Sequence, residues 1–300
     1  MLRINFIAAI IATIIFANLS TVLAAKEIPA PTSETSWFWL SSNSKYSKYF
    51  ASETVRVTKL AKTRDFEIPT EIMAWTKTTY TLDGAKETIR NYGISEILPN
   101  PKSLFYSLAL LKINPQSRTI QYLREDFYDT TDRLIWSKAE GRVKEVNSQS
   151  FDEDFFVAIV DDVFNQGEAD RKNAKDRWIE LWVSTNKKTG DTTTVTGDTT
   201  TMRLKGANLI LWQWQENKNS AGQVTEIRFL KKFVNLGQGT ERVVSGRVWD
   251  AKTRHWSDFD DEYGGSYHMI KNNDPAYKGL VRLRAFAKSN ADWIKRYTIP

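Results

Sequence analysis

Two histidines and no cysteine leave this 300-residue chain little of the usual equipment for acid–base, thiol or metal chemistry. Disulfides, zinc–cysteine sites, iron–sulfur clusters and thiol nucleophiles are all excluded. The one local cluster with metal-ligand chemistry is His255, Asp258, Asp260, Asp261, Glu262 and His268. A calcium loop needs about six to eight oxygens on defined turns. The segment from Trp256 to Glu262 lacks the Asp-x-Asp-x-Asp-Gly order of such a loop. Zinc would require the two histidines, 13 apart, to converge with a carboxylate. The stretch Asp258 to Glu262 therefore reads as a solvated acidic loop. Paired-carboxylate catalysis is open to any chain with 36 acids, but nothing selects a pair. Gly84 and Gly93 form no phosphate loop, Gly-x-Ser-x-Gly does not occur, and Gly237-Gln238-Gly239 and Gly264-Gly265 read as turns. No catalytic, cofactor-binding or metal-binding residue is assigned, no cofactor is expected, and the chain reads as non-enzymatic.

Two other groups of side chains could bind. Trp37 and Trp39, and again Trp212 and Trp214, are two apart, so each pair projects from one face of a strand. On an exposed face they would stack sugar rings; the reading adopted is that they fill the sheet–helix core. Arg171, Lys172, Lys175 and Arg177, then Lys278, Arg282, Arg284, Lys288, Lys295 and Arg296, read as the solvated faces of two helices. A polyanion site there would show a steep salt dependence.

The elements that must position these groups follow from periodicity. Val55 to Lys59, Ile72 to Tyr80, Leu104 to Ile113, Thr119 to Tyr128 and Leu134 to Ser137 are rich in β-branched and aromatic residues and read as strands. From Asp152 the period changes: Phe155, Phe156, Ile159, Val160, Val163 and Phe164 recur at three and four, behind three acids in the first turn. Ala174, Trp178, Leu181 and Trp182 continue a similar helical stripe after Gly167. Thr185 to Thr200 reads as a polar linker or long hairpin.

After that stretch the first half starts again. Thr54-Val55-Arg56-Val57 is echoed by Thr201-Met202-Arg203-Leu204, and Trp75 by Trp212. Asn114 precedes Asp129 by 15 residues and Asn235 precedes Asp250 by 15. Trp136 and Trp256 follow those aspartates, and helices open near Asp152 and near Asp274-Pro275. The fold class expected is α+β: two tandem antiparallel β-sheet units, each covered by an amphipathic helix. The boundaries expected are 1–25 signal peptide, 26–36 linker, 37–184 first unit, 185–198 linker or hairpin, and 199–300 second unit.

The signal peptide rests on Arg3, the apolar run Ile4 to Phe16, and small residues at Ala24 and Ala25 before Lys26. The run is 13 residues, short of the roughly 20 that a membrane span needs, so no transmembrane anchor is expected after cleavage. The chain is therefore expected to be exported: periplasmic, cell-surface or extracellular. A formal charge of +6 raises nucleic-acid binding as a question, but the charges are interspersed and no run of five basic residues occurs, so no nucleic-acid partner is expected.

The order of landmarks at Trp37 to Phe50, Ala74-Trp75, Arg118-Thr119, Tyr128-Asp129 and Ile135-Trp136-Ser137 resembles the surface-adhesin protein E family of exported bacterial proteins. The likeness covers most of residues 37–140 and, more weakly, 199–258. Family members often carry a cysteine pair, which this chain lacks. What the resemblance and the leader imply is an exported, non-enzymatic, adhesin-like or envelope-associated protein that binds a macromolecular host or envelope ligand. The alternative is a carboxylate-based hydrolase acting on envelope polysaccharide or peptidoglycan.

Overall fold

A computed structural model describes residues 28–62 and 66–298. The leader read over residues 1–25 and its cleavage point lie outside the described residues. In chain order the elements are β1 (Phe38–Ser42), β2 (Tyr46–Phe50), β3 (Arg56–Lys62), β4 (Glu67–Tyr80), α1 (Leu82–Tyr92), β5 (Tyr106–Asn114), β6 (Thr119–Tyr128), β7 (Leu134–Ala139), β8 (Lys144–Glu145), α2 (Glu153–Phe164) and α3 (Glu168–Asn173). They continue with β9 (Trp178–Thr185), β10 (Thr192–Asp198), β11 (Arg203–Lys205), β12 (Asn208–Lys218), β13 (Val224–Asn235), β14 (Thr240–Asp250), β15 (His255–Asp258), β16 (His268–Met269), α4 (Pro275–Ser289) and α5 (Ala291–Lys295). The class is α+β with two antiparallel eight-stranded sheets.

The two sheets are wired alike. The first runs β1-β2-β4-β5-β6-β7 with β3 on β4 and β8 on β6; the second runs β9-β10-β12-β13-β14-β15 with β11 on β12 and β16 on β14. Even the irregularities correspond. Register slips by one residue between Leu110 and Leu111 opposite β6, and between Lys231 and Lys232 opposite β14, so Leu123 and Val244 are the bulged residues. In the β5–β6 turn Ser117 N donates to Asn114 Oδ1 at 2.8 Å, and in the β13–β14 turn Gln238 N donates to Asn235 Oδ1 at 2.9 Å. Each turn closes on a left-handed residue, Arg118 at φ 54° and Gly239 at φ 69°. Asp129 and Asp250 likewise accept from the backbone two residues on, at 2.8 Å in both copies.

Two expectations are corrected. The stripe Trp178, Leu181 and Trp182 is not helix but strand β9, the edge partner of β10, so the first unit ends before residue 178 and the second begins there. Apolar residues three and four apart also fit a strand carrying a bulge, and here Trp182 pairs with Val195 and Glu180 with Thr196, which leaves Leu181 in the irregularity. The stretch 185–198, expected as a linker or a hairpin, is the turn and second strand of the β9–β10 hairpin. Sequence reading also passed over α1, which starts at the N-cap Thr81 and stops at Gly93 in the left-handed conformation, φ 67°.

In the first unit Ile72, Ala74, Leu111, Ile113 and Ile120 share one buried cluster with Phe155, Phe156, Ile159 and Val160 of α2. In the second, Leu181, Val195, Leu209, Leu211 and Val234 share one with Leu280 and Leu283 of α4. The units meet in a buried ionic network. Arg118, 2% exposed, donates through Nη1 to Glu168 at 3.0 Å; Arg296 Nε meets the other Glu168 oxygen at 2.9 Å; Arg177 Nη2 bridges Glu153 at 2.6 Å and Asp198 at 3.1 Å. Burial pushes the Glu168 carboxyl up, but Arg296 and Arg118 outweigh it and leave it below the ordinary range.

Candidate functional site

The inner face of the first sheet is longer than α2. Beyond Ile72, Ala74, Leu111 and Ile120 it goes on through Thr76, Thr78 and Tyr80 of β4, Ser107 of β5, and Glu125 and Phe127 of β6. Strict alternation from Ile120 and Tyr122 would place Arg124 and Asp126 inward. The bulge at Leu123 shifts the phase, so Glu125 and Phe127 face in instead. The far end of this face is closed by α1, whose Ala85 and Ile89 pack with Leu104 and Phe127. Gly84 permits this, because a Cβ there would lie 2.1 Å from the carbonyl oxygen of Lys45.

Between α1 and α2 a cleft of about 200 Å³ remains. Its walls are aromatic: Tyr46, Tyr80, Tyr92, Tyr122 and Phe151 line it. Phe151 is fixed by Tyr46, centroids 5.1 Å apart, and by Lys48, whose Nζ sits 4.1 Å from the ring centroid. Its floor holds two carboxylates, Glu125 and Asp152, 7% and 5% exposed. Tyr92 OH donates to Glu125 Oε2 and Ser107 Oγ to Oε1 at 3.3 Å, while Tyr80 OH and Ser107 Oγ are 2.6 Å apart. Tyr122 OH donates to Asp152 Oδ1 at 2.6 Å, and Lys144 Nζ lies 3.5 Å from Oδ2. Asp152 occupies the N-cap position of α2 but makes no side-chain cap bond; its carboxylate is spent on the cleft.

Burial is the main force that raises Glu125 to about 7, against the pull of the Tyr92 and Ser107 hydroxyls and of Lys144, with the Asp152 charge adding to the rise. Burial and the adjacent Asp152 likewise push the Tyr122 hydroxyl far up, so it stays a donor. Near neutral pH the floor therefore presents a carboxyl poised between its two forms beside a second acid, under a ring of phenols. Such a floor can donate to or accept from hydroxyl and amide groups, and the rings offer stacking faces.

Among the described residues the second unit has no counterpart of the helix that closes this cleft. Where the first inserts α1 between β4 and β5, the second makes the short turn Lys218–Val224. The matched bulges place Val243 where the first has Tyr122 and Gly246 where it has Glu125. A Cβ at Gly246 would fall 2.5 Å from Leu230 Cδ2 and 2.9 Å from the Phe229 carbonyl, so this position takes no side chain.

The groups singled out by sequence fall elsewhere. His255 and Asp258 sit on β15 and His268 on β16, where its Nε2 is 3.5 Å from Glu241 and its ring stacks on Tyr263 at 3.9 Å. Asp261 accepts from Gly265 N at 2.7 Å, and no three His, Asp or Glu among the described residues are placed to hold a metal ion. Trp212 is buried and Trp214 half-buried, but Trp37 is only half-buried and Trp39 is 62% exposed, so the expected core role fails at Trp39. It lies on β1, the edge strand of this sheet among the described residues. The basic residues are not all a solvated face either. Arg177 and Arg296 belong to the buried network, Lys172 pairs with Asp154, and Arg284 Nε donates to Leu236 O at 2.6 Å.

Among the described residues no helix is long and apolar enough to cross a membrane. No protein-family model matches the chain, and no curated protein matches it.

Proposed function

We propose that the chain is an exported, envelope-associated binding protein that takes a hydroxyl-rich polymer segment, polysaccharide or peptidoglycan, in the cleft of its first unit. One observation carries this reading: of two sheets wired alike, the first has an aromatic, acid-floored cleft, closed by an inserted helix that the second lacks among the described residues. Rings that can stack and paired donors and acceptors that can meet hydroxyls suit a sugar or glycopeptide segment. The leader and the likeness to the surface-adhesin protein E family belong to the same reading, with α2 and α4 as the covering helices of the two units.

The hydrolase alternative has its own support. Glu125, raised to about 7, and Asp152 share one cleft, the pattern of an acid and a base set apart by environment. Binding is preferred because each acid is held by neighbouring side chains, Glu125 by Tyr92 and Ser107 and Asp152 by Tyr122 and Lys144, which sets the floor as a fixed array of donors and acceptors. Co-sedimentation of the mature chain with purified peptidoglycan sacculi, with assay of released reducing ends, separates the two. Pelleting without release supports binding; release that Glu125→Gln abolishes supports hydrolysis; neither pelleting nor release overturns both.

A further inference from the structure

A recess of about 380 Å³ lies at the junction of the units, between the β5–β6 turn, the β11–β12 turn and the chain after α5. Its lining holds four cationic side chains, Arg203, Lys205, Lys231 and Arg296, and, among the described residues, no carboxylate. Two of the four are neutralised from behind. Lys231 Nζ pairs with Glu145 at 2.6 Å and Arg296 Nε with Glu168 at 2.9 Å. The other two have no ion pair among the described residues. Arg203 spends a single bond, Nη2 to Ser117 O at 3.0 Å, and Lys205 is exposed at the rim.

The surplus is not cancelled by the network beneath. Arg118, Arg177 and Arg296 are matched there by Glu153, Glu168 and Asp198, which leaves Arg203 as a fourth guanidinium without an ion pair among the described residues, attracted only through space by Glu145 and Glu168, which are paired to Lys231, Arg118 and Arg296. Burial, then the nearby Arg118 charge, pushes Arg203 down to about 10, so it stays charged at neutral pH in a place that disfavours its charge. Holding a half-buried cation beside like charges costs stability unless an anion completes the site.

We propose that this recess binds the phosphate, sulfate or carboxylate group of a small ligand, with the free edge of the Arg203 guanidinium as the planar donor and Lys205 as a point charge at the mouth. A guanidinium fork matches two oxygens of such a group, and the ammonium adds attraction without fixed geometry. This site is separate from the first-unit cleft and stands whether or not the cleft binds a polymer.

The test is isothermal titration of inorganic phosphate into the full chain at constant ionic strength in chloride. One saturable site is expected, weakened at least about tenfold by Arg203→Gln and about threefold by Lys205→Gln, and unchanged by Lys278→Gln on the exposed face of α4. Phosphate heats no different from those of added chloride, or equal affinity in Arg203→Gln with unchanged near-ultraviolet circular dichroism, would overturn the proposal. If Arg203→Gln does not fold, the exposed Lys205→Gln decides: unchanged phosphate affinity overturns it, and a loss supports it.

Discussion

Thr201 Oγ1 accepts the backbone N–H of Trp212 at 2.9 Å while donating to Asp198 O at 2.8 Å; in the first unit Thr54 does the same for Trp75 at 2.9 Å and Ala51 at 2.7 Å. A hydroxyl used twice, at matched positions before β12 and β4, ties the entry turn of each unit to its central strand. Thr201→Val leaves the buried Trp212 N–H unpaired, while Asp198 O keeps the backbone N–H of residue 201 at 3.1 Å, and is expected to cost about 1–3 kcal/mol. Thr54→Val, less deeply buried, is expected to cost less. Urea unfolding of the two variants checks both the sign and the order.

Glu168 is fully buried between Arg118 and Arg296, one from each unit. Glu168→Gln removes the charge shared by two buried guanidiniums, leaving Arg118 with Glu153 at 3.5 Å and Arg296 with carbonyl acceptors alone, and is expected to lose about 3–5 kcal/mol, far more than an exposed pair such as Arg282–Glu180 would. Denaturant midpoints of Glu168→Gln and Glu180→Gln measure the contrast.

Glu125 is raised from 4.5 to about 7, so the folded state holds its proton more tightly than the unfolded chain does. Its favourable contribution is complete below about pH 4.5 and is lost as pH rises through about 7, an effect on the order of 3 kcal/mol. The stability of wild type relative to Glu125→Gln should therefore fall between pH 5 and pH 8, and the paired comparison cancels the titration of other groups.

Gly84→Ala should push α1 off the Lys45 carbonyl, with a cost of about 1–3 kcal/mol and weaker ligand binding at the cleft. Gly246→Ala should cost a similar amount against Leu230 and Phe229, yet leave binding intact, because no cleft lies there. Thermal unfolding and sacculus pelleting of both variants separate stability from binding.

Much of the framework was legible in the sequence because it rests on local chemistry. Asn at a hairpin turn and Asp two residues before the backbone it caps recur 15 residues apart in both halves, a Trp recurs in each central strand, and the paired turns and sheets follow them. The candidate site was not legible, for two physical reasons. The bulge at Leu123 turns Glu125 inward against the alternation that a reader would apply, and Asp152 looks like an ordinary helix-start acid until Tyr122 is brought to it from another strand. The missed α1 compounds this, since only its presence makes a cleft of that face. Trp178 and Trp182 misled in the opposite sense, because a bulged edge strand imitates a helical stripe.

The account stands or falls on whether the first-unit cleft alone takes the ligand. The measurement is sacculus co-sedimentation of the mature chain against Tyr92→Ala and Tyr122→Ala in the cleft, and Gln215→Ala, which occupies in β12 the place that Thr78 has in β4. Folding of each is checked by circular dichroism. The account predicts that the two tyrosine variants lose about tenfold or more in affinity while Gln215→Ala pellets like wild type. Undiminished pelleting of the folded tyrosine variants, or loss in Gln215→Ala alone, would contradict it.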